Sequence, residues 1–199
     1  MTTKSAGPET AIRNYPKLLA RYQQLLELTS DLAATFDLDT LLQRIVVAAR
    51  ELTESEASSL LLYDHPSHSL YFEAATGALM GGVGQRTIPA DNSIAGWVFT
   101  HGEPIVSDDV LNDPRFYREM DVLTRFETHS IIGVPLRTKD KILGVIEAVN
   151  KHEGFFTDED VELANNVVVI GTEVRDILFG EEESIGKTVR IKNLPFRVV

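Results

Sequence analysis

The sequence predicts an α+β fold: a central antiparallel sheet of five or six strands, with long terminal helices on one face and an irregular lid with short helices on the other. Three observations carry this expectation. Residues 56–76 and 130–150 each read as two β-rich runs joined by a polar turn, the pattern of a hairpin. Two amphipathic patterns, ending near Glu54 and running over about 158–179, each have one apolar stripe that needs a surface to cover. Between the hairpins, residues 77–128 are too long for a plain connection in a compact domain. Trp97, Phe99, Phe116, Tyr117 and Phe126 within that stretch argue for order, hence for a lid over the second sheet face with a pocket beneath it.

Taken in order, residues 1–36 read as a polar tail followed by a helix from about Thr10 that Pro16 trims or kinks. Leu18, Tyr22, Leu25, Thr29, Leu32 and Phe36 follow the alternating four- and three-residue spacing of a heptad seam. The helix packs either on its own domain or on a second subunit, and the homodimer is the favoured reading. Thr40 and Gln43 offer a capping box for a helix carrying Leu41, Leu42, Ile45, Val46, Ala49 and Leu52. Residues 56–63 and 70–76 form the first hairpin, and the glycine-rich 77–84 is expected to be flexible. Asn92 and Ser93 cap a short helix through Trp97 and Phe99, a brief strand follows at 105–107, and Asp113-Pro114 starts a helical turn. The second hairpin turns at Thr138–Lys141, and Gly180 ends the last helix. Residues 37–180 make the main domain and 181–199 an acidic-then-basic tail, in which 188–192 alternates as a strand would. That strand has three open assignments: a sheet edge, a pair with a neighbour, or the start of a longer module.

Composition removes several functions. The chain of 199 residues holds 30 acidic and 19 basic residues, a net charge of −11, which disfavours broad contact with nucleic acid or anionic membrane. All the acidic residues precede Ser184, and the last sixteen residues carry Lys187, Arg190, Lys192 and Arg197 with no acid. There is no cysteine, which excludes disulfides, thiolate metal sites and cysteine nucleophiles. No apolar run has the length of a membrane span and the first residues lack a signal-peptide core, so the cytoplasm is the expected location. His65 and His68 have no third ligand in view, so no metal is expected. Gly186-Lys187-Thr188 lacks the first glycine of a phosphate loop, Glu181 standing there instead.

The chain is organised around residues 142–160. Ile142, Val145, Ile146, Ala148 and Val149 form a β-branched strand with one interior carboxylate, Glu147. Asn150 to Gly154 is a turn, and Thr157 with Asp160 makes a capping box for the helix. Asn150-Lys151, Phe156 and Asp160 resemble the Asn-Lys…Phe-x-x-x-Asp-Glu signature of GAF domains, with Val161 where the final Glu is expected. Pro89–Val98, Glu103–Val110 and Asp113–Leu136 agree with that family in order. The last of these is similar to the Asp-Pro-x-Phe…Asp…Gly-Phe-x-Thr run of phosphodiesterase and cyclase members, except that Arg125 replaces its Gly. The resemblance covers about residues 25–179. It implies a GAF/PAS-like fold, a sensory rather than enzymatic role, a Lys151–Asp160 salt bridge beside the pocket, and cyclic AMP or cyclic GMP as the ligand to test. The enzymatic branch that reduces free methionine sulfoxide uses cysteines absent here.

A small-molecule pocket needs apolar walls and a few fixed polar groups. The candidates are Ser58 on the first strand, Ile94 and Trp97 on the lid helix, Asp108, Phe116, Asp121 and Thr128 in the cover, and Glu147 beneath, where its carboxylate can accept a base N–H. Against each stands a plainer role: core packing for the aromatics, helix capping for Asp108, solvation for Asp121, an outward direction for Glu147. The two functional readings are a ligand-binding sensor signalling through its terminal helices as a dimer, and a ligand-free GAF module for dimerisation or protein interaction. No catalytic constellation is present.

Overall fold

A computed structural model of the protein describes residue 20 and residues 38–79, 86–137, 141–167, 188–191 and 194–197. In chain order the main elements are α1 (Leu38–Leu52), β1 (Ser55–Asp64), β2 (Ser69–Ala75), β3 (Thr87–Pro89), α2 (Ile94–His101), β4 (Ile105–Ser107), α3 (Glu119–Thr124), β5 (Ile131–Arg137) and β6 (Ile142–Lys151). Helix α4 covers 158–167. β7 (Thr188–Ile191) and β8 (Leu194–Arg197) pair with each other as a local hairpin in a separate ladder rather than adding an edge strand to the main sheet. The heptad seam Leu18–Phe36, most of the glycine-rich stretch, the turn at 138–140 and the helix beyond 167 lie outside the described residues.

Six strands form one antiparallel sheet in the order β3-β2-β1-β6-β5-β4. Each strand pair is antiparallel, with Ser59 opposite Glu147 and Gly133 opposite Glu147 on the other side. The two central strands are buried on both faces, which is why their sequences read as nearly continuous apolar runs. On one face the stripe Leu41, Ile45, Ala49 and Leu52 of α1 packs with Leu163 and Val167 of α4 onto Leu60, Ile132 and Ile146. Burying each such side chain contributes about 1.5–3 kcal/mol. On the other face Ile94, Ala95 and Val98 of α2 pack with Met120 and Phe126 onto Leu61, Val145 and Val149.

α1 starts at Leu38, so Thr40 lies inside the helix, and the Gln43 amide donates to the Ala75 carbonyl at 3.1 Å. Asp39 in the first turn has the charge that the helix N-terminus favours. The lid helix starts as its sequence predicts: Ser93 Oγ accepts from the Gly96 N–H at 2.9 Å. α2 ends at Gly102, whose φ of 66° is left-handed. Gly96 lies so close to the Ala90 backbone that a Cβ there has no room, which sets how tightly α2 sits on its entry segment. Phe99 stacks on Tyr63 with centroids 4.2 Å apart, tying the lid helix to the first hairpin. No helix among the described residues is long and apolar enough to cross a membrane.

Candidate ligand-binding site

A partly open cavity of about 60 Å³ lies between the sheet and the lid. Its floor is Ser59 and Glu147 on paired strands, with Val149 and Ile131 beside them. Ile94 of α2, Phe116 and Tyr117 of the loop, and Met120 and Asp121 of α3 close it from above. Five of the eight expected pocket residues are therefore brought together: Ile94, Phe116, Asp121, Thr128 and Glu147. Alternation along β6 explains Glu147: Ile146 and Ala148 face the helices, so Glu147 faces the lid.

The other three lie elsewhere. Ser58 projects to the helix face, where its hydroxyl donates to the Val46 carbonyl and meets Thr76 Oγ1 at 3.1 Å; its neighbour Ser59 takes the floor position. Trp97 is half-buried at the margin of the lid-side core and does not line the cavity; it stacks on His101 at 4.3 Å, with the Arg115 guanidinium 5.2 Å from its ring centroid. Asp108 is exposed and accepts from the Phe156 N–H at 3.3 Å, pinning the turn before α4. Ser59, Phe72, Leu79, Tyr117, Met120, Thr124 and Val149 also line the cavity, and sequence reasoning did not select them for it.

Two polar clasps shape the cover. Asp121 accepts from the Thr128 N–H at 2.8 Å and from its hydroxyl at 2.7 Å, closing the end of α3 onto the segment before β5. Asp113 accepts from Arg115 Nε at 2.9 Å and Nη2 at 2.8 Å, and this hydrogen-bonding arginine holds the Asp113 carboxyl below the usual range. The floor is different. Burial pushes the Glu147 carboxyl up from 4.5 to about 7, and no hydrogen bond to a described residue offsets it.

The signature residues form a junction on the other side of the sheet. Lys151 Nζ meets Asp160 Oδ1 at 2.7 Å and donates to the Thr53 carbonyl at 2.8 Å, with side chains 7% and 1% exposed. The salt bridge is thus buried, and it joins β6 to α4 and the α1–β1 turn rather than bordering the cavity. Asp160 Oδ2 also accepts from the Thr157 N–H and hydroxyl, each at 2.9 Å, completing the expected cap of α4. Asn150, at φ 59°, accepts through Oδ1 from the His129 N–H at 2.7 Å and donates to Glu56 and the Glu127 carbonyl. Phe156 is buried in the helix-side core beneath Lys151.

A broader groove of about 480 Å³ runs along the α1–β1 turn, but it is open and rimmed by Glu51, Glu54, Glu56 and Glu153. The cavity between sheet and lid is the one with apolar walls and a few placed polar groups. Among the described residues no group of three or more His, Asp or Glu is placed to hold a metal ion.

Comparison with known proteins agrees with this architecture. Residues 37–169 match the model of the GAF domain family. Over 166 residues the chain is 30% identical to dual 3′,5′-cyclic-AMP and -GMP phosphodiesterase 11A of Takifugu rubripes, covering 77% of this chain and 18% of that protein. It is 28% identical over 156 residues to the probable 3′,5′-cyclic phosphodiesterase pde-5 of Caenorhabditis elegans, covering 71% of this chain and 21% of that one. The chain thus spans about a fifth of the length of these relatives. Among solved structures, the GAF domain of a phosphoenolpyruvate-protein phosphotransferase from Coxiella burnetii superposes with a TM-score of 0.70 at 21% identity, covering 79% of this chain and 94% of that one. The matched residues 37–169 carry all six strands of the antiparallel sheet and make up more than half of the sequence, and the chain belongs to the GAF domain family.

Proposed function

We propose that this GAF domain is a non-enzymatic sensor whose cavity between sheet and lid binds a small molecule, with a cyclic nucleotide as the leading candidate. One observation carries the reading. The floor presents the Ser59 hydroxyl, buried without a hydrogen-bond partner among the described residues, beside the Glu147 carboxyl, 6% exposed and with no hydrogen bond to a described residue. Buried polar groups are otherwise paired almost without exception, so a ligand is the natural partner. The nucleotide class is supported by relatives named as cyclic-nucleotide phosphodiesterases, whose shared segment is this domain. At about 60 Å³ the cavity is far below the ~300–1,000 Å³ of ligand pockets, so binding requires α3 and the loop before it to move outward. A ligand that favours one lid position biases the whole domain toward it, and the terminal helices of a homodimer carry that bias onward.

The second reading is a ligand-free module for dimerisation or protein interaction, favoured by how completely Phe116, Tyr117 and Met120 fill the space under the lid. Titration with cyclic AMP and cyclic GMP separates the two, followed by Trp97 fluorescence and by calorimetry. Trp97 sits against Arg115, which the Asp113 clasp holds, so lid movement changes its surroundings. The sensor reading expects saturable emission change and heat for one nucleotide. Silence in both, with the fold intact, leaves the ligand-free module. Sedimentation of the same samples reads the dimer, and a monomer at every concentration removes that part.

A further inference from the structure

Among the described residues, the large apolar side chains left in solvent are Leu111, Val122, Leu123 and Phe155, at 52, 78, 53 and 70% exposure. The first three share the lid surface. Leu111 lies in the single turn Val110–Asn112, the Arg118 guanidinium donates to its carbonyl, and the Arg118 carbonyl accepts from the Val122 N–H. Leu123 follows on α3. Phe155 precedes Phe156, whose N–H donates to Asp108 just ahead of the Leu111 turn. Apolar side chains exposed singly are ordinary, but neighbouring ones mark a surface with a partner. The setting of this patch is acidic: residues 108–127 hold six carboxylates and three arginines, and Asp108, Asp109, Glu119 and Glu127 are exposed.

The β7–β8 hairpin has the complementary make-up. Cross-strand partners share a face, so the pairs Val189–Phe196 and Ile191–Leu194 put four apolar residues on one face of the ladder. The pairs Thr188–Arg197 and Arg190–Pro195 put two arginines on the other. A two-stranded hairpin alone is marginally stable in water and needs a layer against its apolar face. We propose that this hairpin, residues 188–197, docks on the lid of its own chain, its apolar face over Leu111, Val122 and Leu123. Residues 184–199 hold four basic side chains and no acid, so the acidic lid attracts the segment as a whole. The open groove at the α1–β1 turn is also acidic, but its lining has no large apolar side chain to cover the hairpin. Residues 168–187 reach ~70 Å when fully extended, so the tether permits the contact. Docked there, the hairpin covers α3, the element that must move outward for the cavity to open, and so latches the lid. The docking itself stands whether or not the cavity takes a ligand.

The chain has no cysteine, so Thr188→Cys carries a single nitroxide label, placed by register on the face opposite the apolar one. In methyl NMR spectra of the full chain, Leu111, Val122 and Leu123 should lose most of their intensity to the label. Leu42 of α1, in the layer on the other side of the sheet, should keep its own. Adding Val122→Asp, a change at an exposed position, should restore Leu111 and Leu123. Intact intensity at all three lid residues, or broadening that survives Val122→Asp, overturns the proposal. Mixing nitroxide-labelled chain with isotope-labelled chain that has no nitroxide should leave the lid signals sharp. Broadening in that mixture makes the hairpin of a second copy the occupant and overturns docking within the chain. Amide hydrogen exchange reads the latch: residues 119–124 should exchange several-fold faster in Phe196→Asp than in the wild type, and equal exchange overturns it.

Discussion

Arg125 is the residue at which this chain departs from the family's Gly-Phe-x-Thr run, and it occupies the left-handed C-cap of α3 with φ 58°. A non-glycine residue there is strained by its Cβ by ~1–2 kcal/mol. Arg125→Gly is expected to raise stability by roughly 1 kcal/mol, part of the relief being offset by the freer unfolded chain. Thermal unfolding checks it: a variant with an unchanged or lowered Tm would show that the arginine side chain compensates the strain. At this same scale the sequence was legible where a residue's own chemistry dictates its place. Ser93 before an apolar run had to cap a helix, and Thr157 with Asp160 had to cap another. Glu147 in a β-branched strand was legible as a buried anomaly, though not which face it served. Ser58 and Ser59 were not separable, because β1 is buried on both faces and its Leu60 and Leu61 conceal the alternation. Only the register that places Ser59 opposite Glu147 decides between them, and register is a property of two strands.

At the scale of elements, the Lys151–Asp160 pair is the point where three of them meet. Lys151 leaves β6, Asp160 opens α4, and the Thr53 carbonyl ends the α1–β1 turn. With both side chains almost wholly buried, removing one charge takes from the other its close ion-pair partner, a loss of about 3–5 kcal/mol. Lys151→Met should therefore destabilise the domain by roughly 3 kcal/mol in urea unfolding. The Lys151→Met/Asp160→Asn pair should cost less than the two single changes summed. Strict additivity would mean that Asp160 acts through its cap on Thr157 alone. The elements themselves were largely predictable: hairpins, amphipathic helices and the long aromatic-bearing segment imposed a two-sided sheet. The direction in which each lid residue points was not. Trp97 and Ile94 share one short helix, yet Ile94 lines the cavity while Trp97 packs at the core margin against His101 and Arg115. Both are apolar, so a hydrophobic pattern assigns them the same role, and only docking of α2 through Gly96 on Ala90 settles which is inside. The place of Asp108 is hidden in the sequence for a related reason: its partner, the Phe156 N–H, is distant in the chain and arrives only when the α4 turn folds back.

For the molecule as a whole, one buried carboxyl sets a pH dependence that most acidic domains lack. Glu147 keeps its proton up to about pH 7 when folded but releases it near 4.5 when unfolded. Between those values the folded state binds the extra proton, so stability falls as pH rises and levels off above about 7. At ~1.4 kcal/mol per pH unit the loss is about 3 kcal/mol, all of it present again below the unfolded value. Asp113 works in the opposite sense and in a separate window: held below 3.8, it contributes stability that is lost only as pH falls through its folded value. The net charge of −11 adds self-repulsion at neutral pH, but wild type and Glu147→Gln share nearly all of it. The difference between the two proteins therefore isolates one group. Urea unfolding from pH 5 to pH 8 should show the glutamine variant gaining on the wild type steadily up to about pH 7, by about 2.5 kcal/mol over that range, and then holding level. A gap that stays constant across the range would mean that Glu147 is ionised throughout, held by water or by a shifted lid. The floor of the cavity would then already be satisfied without any ligand.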